Sequence, residues 1–318
     1  MADSPSDSTG ADAFAAPPEL APLFEHLRLV TPGIPAHDLP RFVHALTVAD
    51  AYAPAPEASP GPQVPRGTLT THHHRSEQAY PGVERDFTVY VPQQFDGREP
   101  AALMVFQDGA MYLGPDVNAP AVLDSLIHSG EVPVTVAVFV QPGDRGPGLP
   151  IYGGADNRSF EYDSLGDRYA RFPLDELLPQ ATRGLAISDD PAQRAICGMS
   201  SGAICAFTVA WEVPQAFGKV ISHCGSYVDI RGGHAYPSMI RRAERKPIRV
   251  FLQTGEHDLN ITFGHWVLAN RTMAEALAYR GYDHQLVVGQ GGHSIKHGGA
   301  LFADTLRWLW REHAPAAP

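Results

Sequence analysis

The stretch Arg194 to Trp211, RAICGMSSGAICAFTVAW, decides the fold that the sequence predicts. Ala195 to Cys197 is a short apolar run typical of a strand, and a tight turn follows at Gly198 to Gly202. Beyond the turn, residues at helical spacing share one side: Ile204, Phe207, Thr208 and Trp211. The stretch therefore predicts a strand, a sharp turn and a helix in immediate succession.

The turn Gly198-Met199-Ser200-Ser201-Gly202 matches the G-x-S-x-G pattern of a nucleophile elbow. Glycine at both ends removes Cβ atoms that would crowd a serine held on so tight a turn. The turn also lies at a helix N-terminus, where free N–H groups and the helix dipole favour a developing oxyanion. Ser200 is the candidate nucleophile, and the alternative is a serine-rich surface turn.

Two later strands offer partners for Ser200. The predicted strand Ile248 to Thr254 runs into a turn that holds Glu256 and Asp258, and the next strand is followed by a glycine-rich run before His293. The order nucleophile, acid, histidine, each at a strand end, is the one that follows a G-x-S-x-G elbow. We expect His293 to act as general base and Asp258 to orient it, with Glu256 as the alternative acid.

An oxyanion hole is expected beside the elbow. One donor should be the backbone N–H of Ser201, the residue after the nucleophile. The second should come from the loop after the predicted strand Ala101 to Phe106, where Gly109 and Ala110 are the candidates. The sequence does not distinguish between these two donors.

A long connection, from Gln141 to about Tyr169, separates two predicted elements. A connection of this length inside a compact domain is usually functional. Its charged residues fit a substrate pocket and fit equally well an ion-pair network that holds the connection in place. The candidate substrate-binding residues are Arg158, Glu161 and Tyr162, together with Asp108 in the loop after the predicted strand Ala101 to Phe106.

The chain has 318 residues and a hydrophobic content of 44%, enough for one large domain with an appendage. Strands and helices alternate, which predicts an α/β fold with a mostly parallel central sheet and helices on both faces, three layers in all. A net charge of -11 argues against nucleic-acid binding, and no window approaches a membrane span. Three irregularly spaced cysteines and an acidic N-terminus without a signal-peptide pattern predict a cytoplasmic protein with reduced thiols.

The sequence predicts two parts in the N-terminal region. Residues 1–18 are expected to form a disordered tail, and residues 19–66 short helical, proline-rich pieces that pack on the main domain, 67–314, or on a second subunit. A homodimer is therefore left open, and a strap is favoured over a lid for residues 19–66. The run His72-His73-His74 lacks the spacing of a metal site, so neither metal nor cofactor is expected.

Several ordered motifs resemble the enterochelin-esterase-like serine esterases of the α/β-hydrolase superfamily. The resemblance extends from about Val83 to Glu312 and rests on ERDFTVYVP, LMVFQDG, NRSFEYD, GMSSG, GEHDLN and GGHS. It implies an α/β-hydrolase fold, a Ser200, Asp258 and His293 triad, and hydrolysis of esters, including the trilactone of catecholate siderophores; some relatives are labelled gluconolactonases. Two features depart from the family: a short N-terminal segment replaces a large β-domain, and Pro173 interrupts a predicted helix.

These observations predict a serine hydrolase that cleaves a small-molecule carboxylic ester or lactone through an acyl-enzyme. An acyltransferase or cyclase using the same triad is the alternative, because the difference depends on whether the pocket excludes water. A non-catalytic binding protein on this fold is the third hypothesis.

Overall fold

The sheet at the centre of the protein has eight strands in the order β1-β2-β4-β3-β5-β6-β7-β10. β2 is antiparallel to both of its neighbours, and all other neighbours are parallel. The computed structural model describes residues 33–144 and 157–313, with residues 21, 22, 25 and 31 before them. The strands are β1 (Thr68–Arg75), β2 (Glu84–Val91), β3 (Ala102–Gln107), β4 (Thr135–Val140), β5 (Arg194–Met199), β6 (Lys219–His223), β7 (Arg249–Gly255) and β10 (His284–Gly289), and β8 (Asn260–Ile261) pairs with β9 (Gly264–His265) in a separate hairpin.

Helices occupy most of the connections between strands. They are α1 (Leu39–Thr47), α2 (Gly109–Leu113), α3 (Ala119–His128), α4 (Asn157–Tyr162), α5 (Arg168–Arg171), α6 (Leu178–Ala181), α7 (Ser201–Glu212), α8 (Tyr236–Arg242), α9 (Trp266–Tyr279), α10 (Lys296–Ala300) and α11 (Phe302–Leu309). Within the described ranges, none combines the length and apolar character needed to cross a membrane.

Successive residues of β3 show how the sheet is covered on both sides. Side chains alternate across a strand, so neighbours face opposite layers. Val105 belongs to the core that contains Phe207 of α7, whereas Phe106 packs with Tyr112 of α2 and Phe302 of α11. The predicted α/β sheet, mostly parallel and flanked by helices on both faces, is confirmed. β3 is buried along its whole length and β5 from Ala195 to Met199, as their near-continuous apolar runs require.

Three local features differ from or refine the sequence-based expectation. The connection after Gln141 is not a plain loop, because it contains α4; residues 145–156 within it lie outside the described part of the chain. Pro173 interrupts the predicted helix within a π-helical segment, Phe172–Leu177, that links α5 to α6. The histidine run lies in the edge strand β1, where His73 faces Asp86 on β2 and His74 points inward.

The segment from residue 33 to residue 58 packs on the core of the protein. Apolar side chains of α1 and of the turn before it join a cluster with the β8–β9 hairpin and the start of α9: Ile34, Leu39, Phe42 and Val43 pack with Val228, Leu259, Ile261 and Trp266. The predicted tail, residues 1–18, lies outside the described residues. All three cysteines are free and buried: Cys197, Cys205 and Cys224.

Candidate active site

Ser200 lies on the turn between β5 and α7 with a backbone rare for a residue that carries a Cβ, at φ 58° and ψ -122°. Its N–H donates to the carbonyl of His223 over 2.9 Å. A Cβ added at Gly198 would lie 2.1 Å from the carbonyl oxygen of Gly202, and one at Gly202 would lie 2.8 Å from Asp108 Oδ2. Both glycines of the motif are therefore required by close approach of neighbouring atoms.

Ser200, His293 and Asp258 form a continuous hydrogen-bonded chain. Asp258 Oδ1 is 2.6 Å from His293 Nδ1, and because a carboxylate oxygen can only accept, Nδ1 is the donor. His293 Nε2 then accepts from the Ser200 hydroxyl over 2.9 Å. This is the tautomer and orientation that a general base needs in order to take a proton from the serine.

The two candidate acids have separate environments. The Asp258 side chain is fully buried, and its second oxygen accepts from the hydroxyl of Thr254 over 2.7 Å. The Glu256 side chain is half-exposed and forms an ion pair with Arg271 of α9 at 2.6 Å. The structure brings Asp258, and not Glu256, to the imidazole of His293.

The loop that carries His293 is held in place by hydrogen bonds to the N-terminal segment. The N–H of His293 donates to the carbonyl of Ala45 at the C-terminal end of α1, over 2.7 Å. The Tyr52 hydroxyl accepts from the N–H of Gln290 over 2.8 Å, and the Ser294 hydroxyl donates to Asp50 over 3.2 Å. The backbone on either side of the imidazole is thus fixed by residues 45–52.

The two backbone segments that are predicted to supply the oxyanion donors each lie at the first residues of a helix near the elbow. Ser201 is the first residue of α7, and Gly109 and Ala110 form the first turn of α2. The first N–H groups of a helix have no carbonyl partner within it and point outward from its end. Gly109 has no room for a side chain, because a Cβ there would lie 2.5 Å from the carbonyl carbon of Phe139.

Asp108 and Arg158 form a two-pronged ion pair close to the start of α7. Arg158 donates from Nε and from a terminal nitrogen to the two Asp108 oxygens, over 2.9 and 2.6 Å. Asp108 has a left-handed backbone, φ 53°, which turns its carboxylate toward Gly202. Both side chains keep some exposure, so they remain candidates for substrate contact.

Glu161 and Tyr162 differ from the expectation that they line a substrate pocket. Glu161 is fully buried and accepts two hydrogen bonds from Arg85 of β2, over 2.6 and 2.9 Å. Burial alone would lower the pKa of Arg85, but the Glu161 charge and hydrogen bonds outweigh it and raise that pKa. Tyr162 is also fully buried, and burial raises the pKa of its hydroxyl. Neither side chain has an exposed surface that a substrate could touch. Of the two alternatives for this connection, a substrate pocket and an ion-pair network, the ion pair is the one that Glu161 forms.

Two residues near Ser200 were not singled out from the sequence. Ser226 Oγ lies 3.3 Å from Ser200 Oγ and accepts from the indole N–H of Trp266 over 3.2 Å. Trp266 also meets the imidazole of His293 edge-on, with ring centroids 6.0 Å apart. No local pattern marks either residue, since Ser226 lies in the loop after β6 and Trp266 lies at the start of α9.

One group among the described residues has the spacing of metal ligands, and it overlaps the hydrogen-bonded chain. Ligand atoms of Cys224, Asp258 and His293 lie within 4.8 Å of one another. Burial raises the pKa of the Cys224 thiol well above its usual value, which keeps it protonated, whereas metals bind the thiolate. A metal here would also compete with the Asp258–His293 hydrogen bond, so the donor set fits a proton relay better than a metal.

The fold and this site define an α/β-hydrolase with a serine, histidine and aspartate arranged as a triad. The model of the Esterase family, described as "Putative esterase", matches residues 78–309, more than half of the chain. The chain therefore belongs to this esterase family, as its motifs predicted.

Individual relatives agree with that assignment. The iron(III) enterobactin esterase of Dickeya dadantii (strain 3937) is 30% identical over 159 residues, which cover 45% of this chain and 35% of the relative. The chain thus matches about a third of the length of that curated relative.

Solved structures support the fold. The enterobactin esterase of Shigella flexneri, determined with 2,3-dihydroxy-N-benzoyl-serine, has a TM-score of 0.63 at 21% identity, covering 79% of this chain and 61% of its own. A ferulic acid esterase from the anaerobic fungus Anaeromyces mucronatus has a TM-score of 0.63 at 18% identity, covering 81% of this chain and 96% of its own.

Proposed function

We propose that this protein is a serine hydrolase that cleaves a carboxylic ester or lactone through an acyl-enzyme. The observation that carries the proposal is the pair of hydrogen bonds that joins Ser200 to His293 and His293 to Asp258, at 2.9 and 2.6 Å. Membership of the esterase family supports the same reaction.

In the first half of the reaction, Ser200 Oγ attacks the carbonyl carbon while its proton passes to His293 Nε2. Asp258 stabilises the imidazolium formed in this step. The oxyanion is held by the N–H of Ser201 and a second N–H from the first turn of α2, where Gly109 and Ala110 lie. The intermediate collapses when the carbon–oxygen bond to the alcohol breaks, and His293 returns the proton to that oxygen.

In the second half, water attacks the acyl carbon. His293 takes a proton from the water as the bond forms, and then gives it to Ser200 Oγ as the acyl–serine bond breaks. The products are a carboxylic acid and the free enzyme. The elbow supports both halves because it holds Ser200 in one strained backbone conformation at the start of α7.

The names of the relatives support a proposal for the substrate class. Their names specify enterobactin, an iron-binding molecule, and ferulic acid. We propose small-molecule esters and lactones, with esters of aromatic acids and siderophore trilactones as the first to test.

Labelling and turnover test the reaction. A fluorophosphonate probe should label the native protein and the Ser129→Ala control, and should not label Ser200→Ala. The same Ser200→Ala protein should lose at least about a thousandfold of ester turnover, as enzymes do when their nucleophile is removed. Unchanged turnover in Ser200→Ala would refute the mechanism, and an excess of transferred over hydrolysed product with an added alcohol would instead identify an acyltransferase.

A further inference from the structure

Ser226 is buried in the loop after β6 and meets Ser200 through both its backbone and its side chain. Its N–H donates to the carbonyl oxygen of Ser200 over 3.2 Å, and its Oγ lies 3.3 Å from Ser200 Oγ. The carbonyl of the preceding residue, Gly225, accepts from the side-chain amide of Asn270 on α9 over 2.9 Å. The backbone therefore holds the Ser226 hydroxyl beside the proposed nucleophile.

The proton between the two hydroxyls can be assigned from their other partners. His293 Nδ1 donates to Asp258, so in the neutral ring Nε2 carries no proton and accepts from the Ser200 hydroxyl. A hydroxyl has one proton, and that of Ser200 is used in this bond. In the contact between the two serines, Ser226 is therefore the donor and Ser200 Oγ the acceptor.

Trp266 fixes the direction of the Ser226 hydroxyl. The indole N–H can only donate, and it lies 3.2 Å from Ser226 Oγ. It occupies a lone pair of that oxygen and leaves the Ser226 proton for Ser200. Trp266, Ser226, Ser200 and His293 thus form a chain in which each group donates to the next, and such chains polarise their bonds.

A donor to Ser200 Oγ stabilises that oxygen most when it carries negative charge. In the proposed mechanism Ser200 Oγ loses its proton to His293 during attack, and it receives the electron pair of the acyl–oxygen bond when the acyl-enzyme breaks down. Hydrogen bonds to an ionised oxygen are shorter and about twice as strong as those to a neutral one. The 3.3 Å separation leaves room for this shortening, as is common for catalytic hydrogen bonds before substrate binds.

We propose that Ser226 is a further catalytic residue, whose hydroxyl donates to Ser200 Oγ in both halves of the reaction, and that Trp266 positions it. Ser226 keeps its own proton throughout, because His293 accepts and returns the proton that is transferred. The interaction is stronger in the transition states than in the resting protein, which is the condition for accelerating a reaction. The proposal deepens the proposed function and rests on it, since it requires Ser200 to be the nucleophile.

Two rates of Ser226→Ala test the proposal. The rate constant of fluorophosphonate labelling reports the attack by Ser200 alone, whereas kcat for 4-nitrophenyl acetate also includes release of the acyl group. Both should fall by about ten- to a hundredfold, as expected when a hydrogen bond to a charged oxygen is lost. The control is Ser222→Ala, which removes a buried hydroxyl that accepts from Tyr227 over 2.9 Å, and both of its rates should stay near those of the parent protein.

Trp266→Phe separates two routes by which the indole could act. It removes the N–H and keeps an aromatic ring, and it should lower both rates by about two- to tenfold in the parent protein, as for one neutral hydrogen bond. In a Ser226→Ala background it should cause no further loss. Trp266 also contacts the His293 ring, and a role through that contact would persist without Ser226 and give additive losses. The double variant also removes both partners of the bond, so it carries the test if Ser226→Ala alone folds poorly.

Rates of Ser226→Ala equal to those of Ser222→Ala would overturn the proposal while leaving the hydrolase function intact. A loss of turnover without a loss of labelling would also overturn it, because Ser226 would then act on the substrate and not on Ser200 Oγ. A parent protein that is neither labelled nor active on esters would refute the hydrolase function itself, and this proposal with it.

Discussion

The carbonyl oxygen of Ala45 accepts a 2.7 Å hydrogen bond from the backbone N–H of His293. The adjoining Gly292 has no room for a side chain, because a Cβ there would lie 2.1 Å from the same oxygen. The C-terminal end of α1 therefore lies directly against the loop that carries the proposed base. We therefore propose that the N-terminal segment acts as a strap that fixes the histidine.

Tyr52→Phe should lower kcat about two- to tenfold and leave KM unchanged. The change removes the hydroxyl that accepts from Gln290 N–H and keeps the ring stacked on His297 at 4.1 Å. One hydrogen bond contributes about 0.5–1.5 kcal/mol net. If that free energy serves to position His293, its loss raises the activation free energy by the same amount, which corresponds to the stated fall in kcat of about two- to tenfold. Steady-state kinetics on an aryl acetate measures both constants. Tyr279→Phe, on the exposed side of α9, is the control, and a rise in KM alone would show that the strap acts on binding instead.

Arg158→Met should lower kcat by about tenfold or more. Without Arg158, the Asp108 carboxylate close to the start of α7 loses its compensating charge and opposes the developing oxyanion. Asp108→Asn in the same protein should restore most of the loss, because it removes the charge. A double-mutant cycle in kcat checks this. Additive losses would mean that the two side chains act independently.

Glu161→Gln should destabilise the protein by about 3–5 kcal/mol, since it leaves the fully buried Arg85 without its charged partner. Urea unfolding measures the change. Glu256→Gln breaks the half-exposed pair with Arg271 and should cost no more than about 1 kcal/mol. Similar losses for the two variants would be incompatible with the buried ion pair described above.

Stability should fall as the pH falls below about 6.5, in part through His223. Burial, with a smaller contribution from His297, lowers the pKa of His223 from 6.5 to about 3. Between these values the unfolded chain binds the proton and the folded protein does not, so the free energy of unfolding decreases with acidification by up to about 1.4 kcal/mol per pH unit. Urea unfolding at pH 7 and pH 5 should show a smaller difference in His223→Gln than in the parent. The exposed His128→Gln serves as control, and identical slopes in all three proteins would contradict the assignment.

The elbow and the alternation of strands and helices could be predicted because each depends on residues close together in the sequence. Gly198 is explained by a contact within its own turn, whereas Gly202 lies against Asp108 from a distant part of the chain. The apolar runs of β3 and β5 are long enough to identify as buried strands. The partners of Ser200 could be identified because the acid and the histidine follow it in the sequence, each at the end of a strand. Their contact with each other is visible only in the structure.

The remaining features depend on contacts between distant residues. Glu161 lies 76 residues from Arg85, and no local pattern distinguishes a carboxylate that meets a substrate from one that meets a buried arginine. α4 was missed because it is short and is stabilised by contacts with α7 and not by its own sequence pattern. Trp266 lies at the start of α9 and Ser226 in the loop after β6, so their proximity is a property of the fold.

Tyr52 and Gln290 lie 238 residues apart, and Asp50 and Ser294 lie 244 apart. During synthesis the strap leaves the ribosome well before the loop that it holds. About ninety residues must therefore be synthesised after Ser200 before the proposed base can take its position beside it. The proposed triad can therefore be completed only after the residues from Tyr52 to Ser294 have been made and have folded together.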